Sequence, residues 1–499
     1  MRTTFLTALS AVLLFPIGAF AQEEARSAAS EEEAFNEALK AEPGGITAPA
    51  VGKRAGETSY QAKAAQEALR GAAARVDAAF YAFLPRLSGL FSYARLSEFT
   101  PPSVFTSVSG GALVASSEPC NPAGSIPVCL NPDPSKFVLV PSSAFAFPLV
   151  FNNWNLQATI VVPITDYFLR INENYTAATN AREAARYDVA TARAVSASDG
   201  EVAFYNWLRA RGALIVAQLA LQDQKTHLND TKNLFTVGNA SQVDVLRGET
   251  AVSDAELAVV RTQNLVELSA KQLRVAMHIE DSVPMASGET IDARALPPVQ
   301  GSLATLIAEA QSSRFEVRSL DANIEAVKAQ SRFLRAGIYP QVSAFGDLIY
   351  ANPNQRVFPQ TETWFPTWDL GARLTWSPND IPTSLANSAD AASRAAGLEA
   401  QKQVMRDGIA IEVTQAYQVV QAADFAVQST EKQLTSAREA VRVARELFKA
   451  GRVTSTTLTD AETELTRARL SMLNARIDAR TARVRLDHAL GRDTKLATP

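Results

Sequence analysis

Chemistry at a protein site needs nucleophiles, bases or metal ligands brought together, and this sequence is poor in all three. It holds three histidines, His227, His278 and His488, far apart and each within a helical pattern, where they read as helix-surface residues. Its two cysteines, Cys120 and Cys129, lie close together in CNPAGSIPVC. In an exported chain that pair fits either a local disulfide stapling a loop or two unpaired thiols; a metal site would need more ligands. No zinc-protease motif, phosphate loop, Gly-x-Ser-x-Gly elbow or dinucleotide fingerprint is present. The carboxylates fall into no acid/base pair, so the chain reads as no enzyme, with no cofactor and no resident metal. Five methionines without a cluster give soft-metal handling no support. A formal net charge of -4 gives no reason to expect nucleic acid.

The informative pattern is structural. From Glu446 to Leu490 a glycine-punctuated turn runs into a long helix. On it Leu458, Ala461, Leu465, Ala468, Met472, Ala475, Ala479, Ala482, Leu486 and Ala489 step by alternating threes and fours, the spacing of a coiled-coil seam. Arg467, Arg469, Arg476, Arg480, Arg483 and Arg485 load the other face, which predicts water or a polar neighbour there. The same stretch stands 213 positions earlier, with Leu234, Phe235, Gly238, Glu249, Thr250, Ala255, Leu257 and Ala276 identical to their counterparts. Two copies of one long helical hairpin are the central feature of the chain.

Proline spacing leaves room for these hairpins. None falls between Pro163 and Pro284, or between Pro382 and Pro499, and proline breaks helix interiors. The first gap predicts a helix over about 166–235, roughly 105 Å at the usual rise, with a turn at Gly238 and a return over 241–277. The second predicts one over about 384–449 with its turn at Gly451. Before each hairpin the period changes to two. Trp368, Leu370, Ala372, Leu374 and Trp376 alternate with Asp369, Gly371, Arg373, Thr375 and Ser377, and Trp154, Leu156, Ala158, Ile160 and Val162 alternate likewise. Upstream partners are Leu87, Gly89, Phe91 and Tyr93, and Val342, Ala344, Gly346, Leu348 and Tyr350. The first copy carries 41 extra residues between its strands, in the Ser-, Pro- and Gly-rich stretch around 100–150.

These signals divide the chain into an export signal over 1–21 (Arg2, an apolar run, then Ala19-Phe20-Ala21 before Gln22), an irregular segment over 22–58 with at most a short helix near 31–40, repeat 1 over 59–278, a connector over 279–302, repeat 2 over 303–490, and a tail over 491–499. Strands are expected at about 84–95, 154–163, 340–351 and 366–377, with helical hairpins over 166–278 and 384–490. Apolar-out, polar-in strands of about ten residues with aromatic ends suit a transmembrane barrel. Trp154, Trp364, Trp368 and Trp376 are the expected aromatic girdle. Four strands cannot close a barrel, and an open edge in lipid leaves backbone groups unsatisfied. A homotrimer would supply twelve strands and twelve long helices around one axis. The fold class is thus membrane α+β: a trimeric 12-stranded β-barrel, four strands per chain, continuous with a long α-helical barrel. A structural coiled-coil surface protein is the rival reading, but a stalk needs one heptad run and no second copy.

At this point the chain resembles the TolC family of outer-membrane efflux ducts. The resemblance rests on two turns followed by matching helix starts: Phe235, Gly238, Val245, Leu246, Gly248 and Glu249, then Phe448, Gly451, Leu458, Thr459, Ala461 and Glu462. Arg314-Phe315-Glu316-Val317 is similar to the family's Arg-Pro-Glu-Leu element, departing at Phe315. The resemblance implies residence in the outer membrane of a Gram-negative bacterium, in contact with its lipid, with a helical tunnel in the periplasm. It implies a passive duct working with a periplasmic adaptor and an inner-membrane pump of the RND type, expelling drugs or toxic compounds, or alternatively secreting proteins by the type I route. The tips at Gly238 and Gly451, with Phe235 and Phe448, would dock the adaptor. Asp460 stands where the family places a carboxylate lining the periplasmic aperture; a solvated helix-start carboxylate is the equal alternative. Thr457 replaces a second family acid, and Asp244 and Arg247 are the repeat-1 equivalents. Phe448 and Arg452 stand near the family's gate-latching Tyr and Arg, the Arg shifted by one position.

Overall fold

Long proline-free stretches and duplicated turns are realised directly in the helices. The computed structural model describes residues 40–98, 112–115, 137–140, 150–291 and 296–493. The export signal, the helix expected near 31–40 and the Cys120–Cys129 pair lie outside the described residues. The helices are α1 (Ala48–Thr58), α2 (Tyr60–Tyr81), α3 (Asn172–Thr236), α4 (Gln242–Met277), α5 (Leu303–Ser313), α6 (Phe315–Arg335), α7 (Ile381–Lys449) and α8 (Ser455–Ala489). The strands are β1 (Arg86–Arg95), β2 (Ala112–Ala115), β3 (Phe137–Val140), β4 (Asn152–Val162), β5 (Gln341–Asn352) and β6 (Phe365–Thr375). The chain divides into two compact units: a helical one over 1–77, 176–330 and 390–499, and a sheet-bearing one over 78–175 and 331–389.

In the helical unit α8 is enclosed on more than its seam. Leu458, Leu465, Ala468, Met472, Ala475, Ala479, Ala482, Leu486 and Ala489 are all buried, as are Leu473 and Ile477 on another side. Leu473 and Ile477 join the main apolar cluster with Phe204, Trp207, Leu208, Val216 and Leu273. Close approach is achieved at Gly212, where an added Cβ would stand 2.6 Å from the Leu473 side chain. The face rich in arginine is partly interior: Arg469 and Arg476 are buried, and Arg469 pairs with Asp223 at 3.2 Å. A polar neighbour, rather than water, covers those two positions. The equivalent seam of α4 is looser, with Val252, Ala255, Val259 and Thr262 only half-buried.

In the sheet-bearing unit the four long strands form one antiparallel sheet in the order β1-β4-β5-β6. The central pair β4–β5 joins the two repeats, an adjacency that the sequence pattern does not specify. Register keeps each period-2 set on one face: Leu87 faces Ile160, Leu156 faces Tyr350, Leu348 faces Trp368 and Val342 faces Leu374. The short strands β2 and β3 pair as a separate ribbon within the inserted stretch. The chain leaves β4 through Pro163 and is helical from Ile164, through a π-turn at Tyr167–Ile171 into α3, close to the expected start at Asp166. β1 begins at Arg86 and β6 ends at Thr375, so Trp376 lies just past its strand.

Shortening Leu473 to alanine leaves a cavity against Gly212. Leu473→Ala is expected to cost about 2–5 kcal/mol, measured as a lower denaturant midpoint, while the exposed Asp460→Ala leaves the midpoint unchanged.

Candidate functional site

The two reversals share one construction. After α3 the Gly238 N–H donates to Phe235 O at 3.0 Å and the Asn239 N–H to Leu234 O at 2.8 Å. After α7 the Gly451 N–H donates to Phe448 O at 2.9 Å and the Arg452 N–H to Leu447 O at 2.8 Å. Both glycines are left-handed, with φ of 82° and 67°, so each helix ends in the paired-carbonyl closure that favours glycine. The return helices are capped alike by hydroxyls: Ser241 Oγ accepts from the Asp244 N–H, and Thr454 Oγ1 from the Thr457 N–H.

Beyond the turns the copies differ. Asp244 closes a capping box, accepting from Ser241 N–H at 3.1 Å and from Ser241 Oγ at 2.6 Å, and Arg247 lies 4.0 Å away. These hydrogen bonds from Ser241 hold the Asp244 carboxyl below the ordinary aspartate range. Asp460 and Thr457 on α8 are exposed, as are Gly451 and Arg452. Phe235 is exposed, but Phe448 is not: it is buried with Ala444 and Leu458, its ring 5.3 Å from that of His227. As a docking or latching side chain Phe448 needs correction. The structure makes it part of the packing beneath the turn, since Leu234, Val453 and Ala461 close over it.

Of the histidines, His227 departs from the surface reading, whereas His278 is exposed and His488 half-buried. His227 is 3% exposed, with Nε2 3.0 Å from Ser455 Oγ and Nδ1 buried without a protein partner. His278 is not helical but caps α4 in the left-handed conformation, with Nδ1 3.2 Å from Thr58 Oγ1. His488 holds Asp493 at 2.6 Å, and that hydrogen bond raises its pKa. Helical periodicity could not find the roles of His227 and His278, because their partners come from distant segments, while the His488 partner lies just past the end of α8. Arg314 is also a hub, pairing with Glu316 at 2.9 Å and Glu412 at 2.5 Å. Among the described residues no group of three or more His, Cys, Asp or Glu is placed to hold a metal ion.

On the sheet, one face exposes Leu87, Phe91, Leu156, Ile160, Leu348, Trp368, Leu370 and Leu374. Aromatic rings gather toward the turn end: Tyr93 lies 4.2 Å from Trp154, Tyr350 stacks on Trp364 at 4.9 Å, and Trp368 is 72% exposed. Trp376 stands at the opposite end, its Nε1 donating to Ile338 O at 3.3 Å. The other face carries a row across all four strands, Ser88, Thr159, Asp347 and Asp369. Thr159 and Gln157 donate to Asp347, and Arg356 pairs with Asp369 at 2.9 Å. Among the described residues no helix is long and apolar enough to cross a membrane. The strands, with one lipid-like face and one hydrated face, have the character of a barrel wall.

A sheet of this kind, in a chain whose other unit is two long helical hairpins, defines the class of outer-membrane channels with a helical tunnel. The sequence matches the family described as outer membrane efflux protein over residues 141–277 and 306–492. The chain belongs to that family. No curated protein sequence matches it. Among solved structures it is similar to CusC, crystallised in work on folding and transmembrane channel formation, at 14% identity and a TM-score of 0.71, covering 89% of this chain and 92% of that one. It is similar to the Campylobacter jejuni CmeC outer membrane channel at 15% identity and 0.67, over 88% and 84% of the two chains. The open state of the Neisseria gonorrhoeae MtrE outer membrane channel gives 16% and 0.67, over 89% and 88%. The protein is thus an outer-membrane efflux channel protein, a passive conduit rather than an enzyme, with its helices forming a tunnel in the periplasm.

The capping box sets a pH-dependent local stability. With its pKa lowered, Asp244 supports the start of α4 above the ordinary aspartate range, and that support is lost as pH falls through its folded value. Ser241→Ala is expected to weaken the first turn by about 0.5–2 kcal/mol, seen as faster amide exchange over 242–246 with the start of α8 unchanged.

Proposed function

We propose that three copies of this chain assemble into the exit duct of a tripartite system that expels small toxic compounds or drugs. One observation carries the reading: a four-stranded sheet with an apolar face and, among the described residues, two unpaired edges, β1 and β6. In lipid every backbone donor and acceptor must be paired within protein, so those edges require strands from other copies. The smallest bacterial barrels have about eight strands; three chains supply twelve under a closed rotational symmetry. Trp154, Trp364 and Trp368 form a girdle at one membrane interface, and Trp376 marks the other.

The turn-bearing ends of the hairpins dock a periplasmic adaptor, with Phe235, Gly238 and Gly451 at the contact, and an inner-membrane pump of the RND type supplies the energy. Asp460, exposed one turn into α8 and in no ion pair among the described residues, lines the periplasmic aperture with its symmetry mates. Thr457 sits beside it, and Arg452 lies at the turn. Asp244 and Arg247 serve the α4 start instead, since the capping box already engages the Asp244 carboxylate.

Deletion of the gene tests the export role: sensitivity to a panel of drugs, dyes and bile salts is expected to rise, and an unchanged panel overturns it. In planar bilayers Asp460→Ala is expected to raise single-channel conductance or lower cation preference; unchanged values remove Asp460 from the aperture. Leu370→Arg places a charge on the lipid face at a cost of about 2–4 kcal/mol near the midplane, and is expected to deplete the protein from outer-membrane fractions.

A further inference from the structure

The connection between β5 and β6 is longer than a reversal requires, and it is tied down. A β-hairpin can turn in about two to five residues, whereas residues 353–364 separate Asn352 from Phe365. The first half of this loop folds back over the polar face of the sheet instead of extending past the strands. Asn354 is 3% exposed, with both ends of its side-chain amide bonded. Its Nδ2 donates to Phe365 O at 2.9 Å and to Thr367 Oγ1 at 3.0 Å, and its Oδ1 accepts from the Arg356 N–H at 2.9 Å. The Val357 N–H donates to Asn354 O at 3.1 Å, closing a turn. Arg356 Nη1 then reaches Asp369 of β6 at 2.9 Å. Thr367 and Asp369 belong to the polar set of β6, facing Ile349 and Asp347 in register.

That register explains the inward pull. Asp347 and Asp369 stand directly opposite one another, and like charges so placed repel. Asp347 is answered within the sheet by Thr159 and Gln157, whereas Asp369 takes its cation from the loop. Just beyond the anchored turn stands Phe358, 73% exposed. The returning limb ends in Trp364, stacked on Tyr350 of the apolar set.

We infer that residues 353–358 form a fixed constriction in the outer mouth of the duct, which sets the size of solute that can pass. The inference rests on the channel reading above. β5 and β6 join helices at their other ends, so with the helices in the periplasm this loop lies at the cell surface. In a barrel the apolar face meets lipid and the polar face lines the lumen. A segment bonded to Thr367 and Asp369 is therefore on the lumen side. Threefold assembly brings three such segments, each with its Phe358, around one axis. A loop of this length left untied would sample many conformations; a buried asparagine with three hydrogen bonds, and an ion pair beside it, hold it in one. Arg356 offsets the charge of Asp369 and the Phe358 ring carries none, so the narrowing discriminates by bulk rather than by sign.

The test adds bulk at the loop tip and reads single-channel conductance of the full chain in planar bilayers. Phe358→Cys is treated from the surface side with a bulky methanethiosulfonate. Its conductance is expected to fall by about half or more relative to wild-type protein, with its own Cys120 and Cys129, treated in the same way. Adding Asn354→Ala or Arg356→Gln to Phe358→Cys releases the loop from the lumen wall, and most of the block is expected to be lost. Arg356→Gln, at a partly exposed position, keeps the test alive should Asn354→Ala fail to fold. A fall no greater in Phe358→Cys than in wild type, or a block that neither anchor substitution diminishes, overturns the constriction alone. Absence of conductance from untreated wild-type protein overturns the channel reading and the constriction with it.

Discussion

A peptide group in hydrocarbon has no water to fall back on, and this constraint governs the sheet-bearing unit. Each of the four long strands satisfies one side of its backbone within the chain, and the two central ones satisfy both. What is left over, among the described residues, is one unpaired edge on β1 and one on β6. The apolar side chains cannot be turned inward to hide it, because register places Leu156, Leu348, Trp368 and Leu370 on the same face across three strands. A one-residue slip would carry Thr159, Asp347 and Asp369 into lipid instead. Period-2 patterning, strand register and the need for further copies are thus consequences of one requirement.

The helical unit answers to packing rather than to lipid. Alternating large and small residues along α8 let it approach its neighbours closely on several sides, as Gly212 against Leu473 shows. Its sister α4 has the same step pattern but keeps much of its seam half-exposed. Duplicated sequence therefore does not mean duplicated environment. The turns stayed alike because a left-handed glycine and two carbonyls awaiting donors leave few solutions. The helix flanks diverged because nothing in hairpin geometry fixes what lies beside them.

That distinction also decides how much could be read from sequence. The repeats, the glycine reversals, the two strand pairs and the channel class were legible, because each rests on a local period or a local turn. The β4–β5 pairing was not, since it joins segments nearly two hundred residues apart and no local pattern encodes strand order. His227 looked like a solvent-facing residue because periodicity marks one buried stripe, and for Arg469 and Arg476 it left water and a polar neighbour as equal choices. A helix enclosed on two sides can satisfy the second with ion pairs, as Arg469 does with Asp223. Phe448 looked like an exposed tip residue by analogy with Phe235, its identical counterpart, yet Leu234 and Val453 close over it. The equal spacing from each glycine was visible in the sequence; which copy would be covered was not.

Coverage of one copy by the other has a consequence for a passive conduit. Apolar packing alone would close the seam between α3 and α8 without burying any charge. Placing Glu462, His227 and Asp223 in such a seam desolvates polar and charged groups that must then find partners. Arg445 and Arg469 supply ion-pair partners, Gln224 donates to Glu462, and Ser455 meets His227 Nε2. The Lys232–Glu249 pair, about half exposed, stays in contact with water and needs no such partners. Burial by α3 of the first repeat, and not the ion pair itself, is what separates the two.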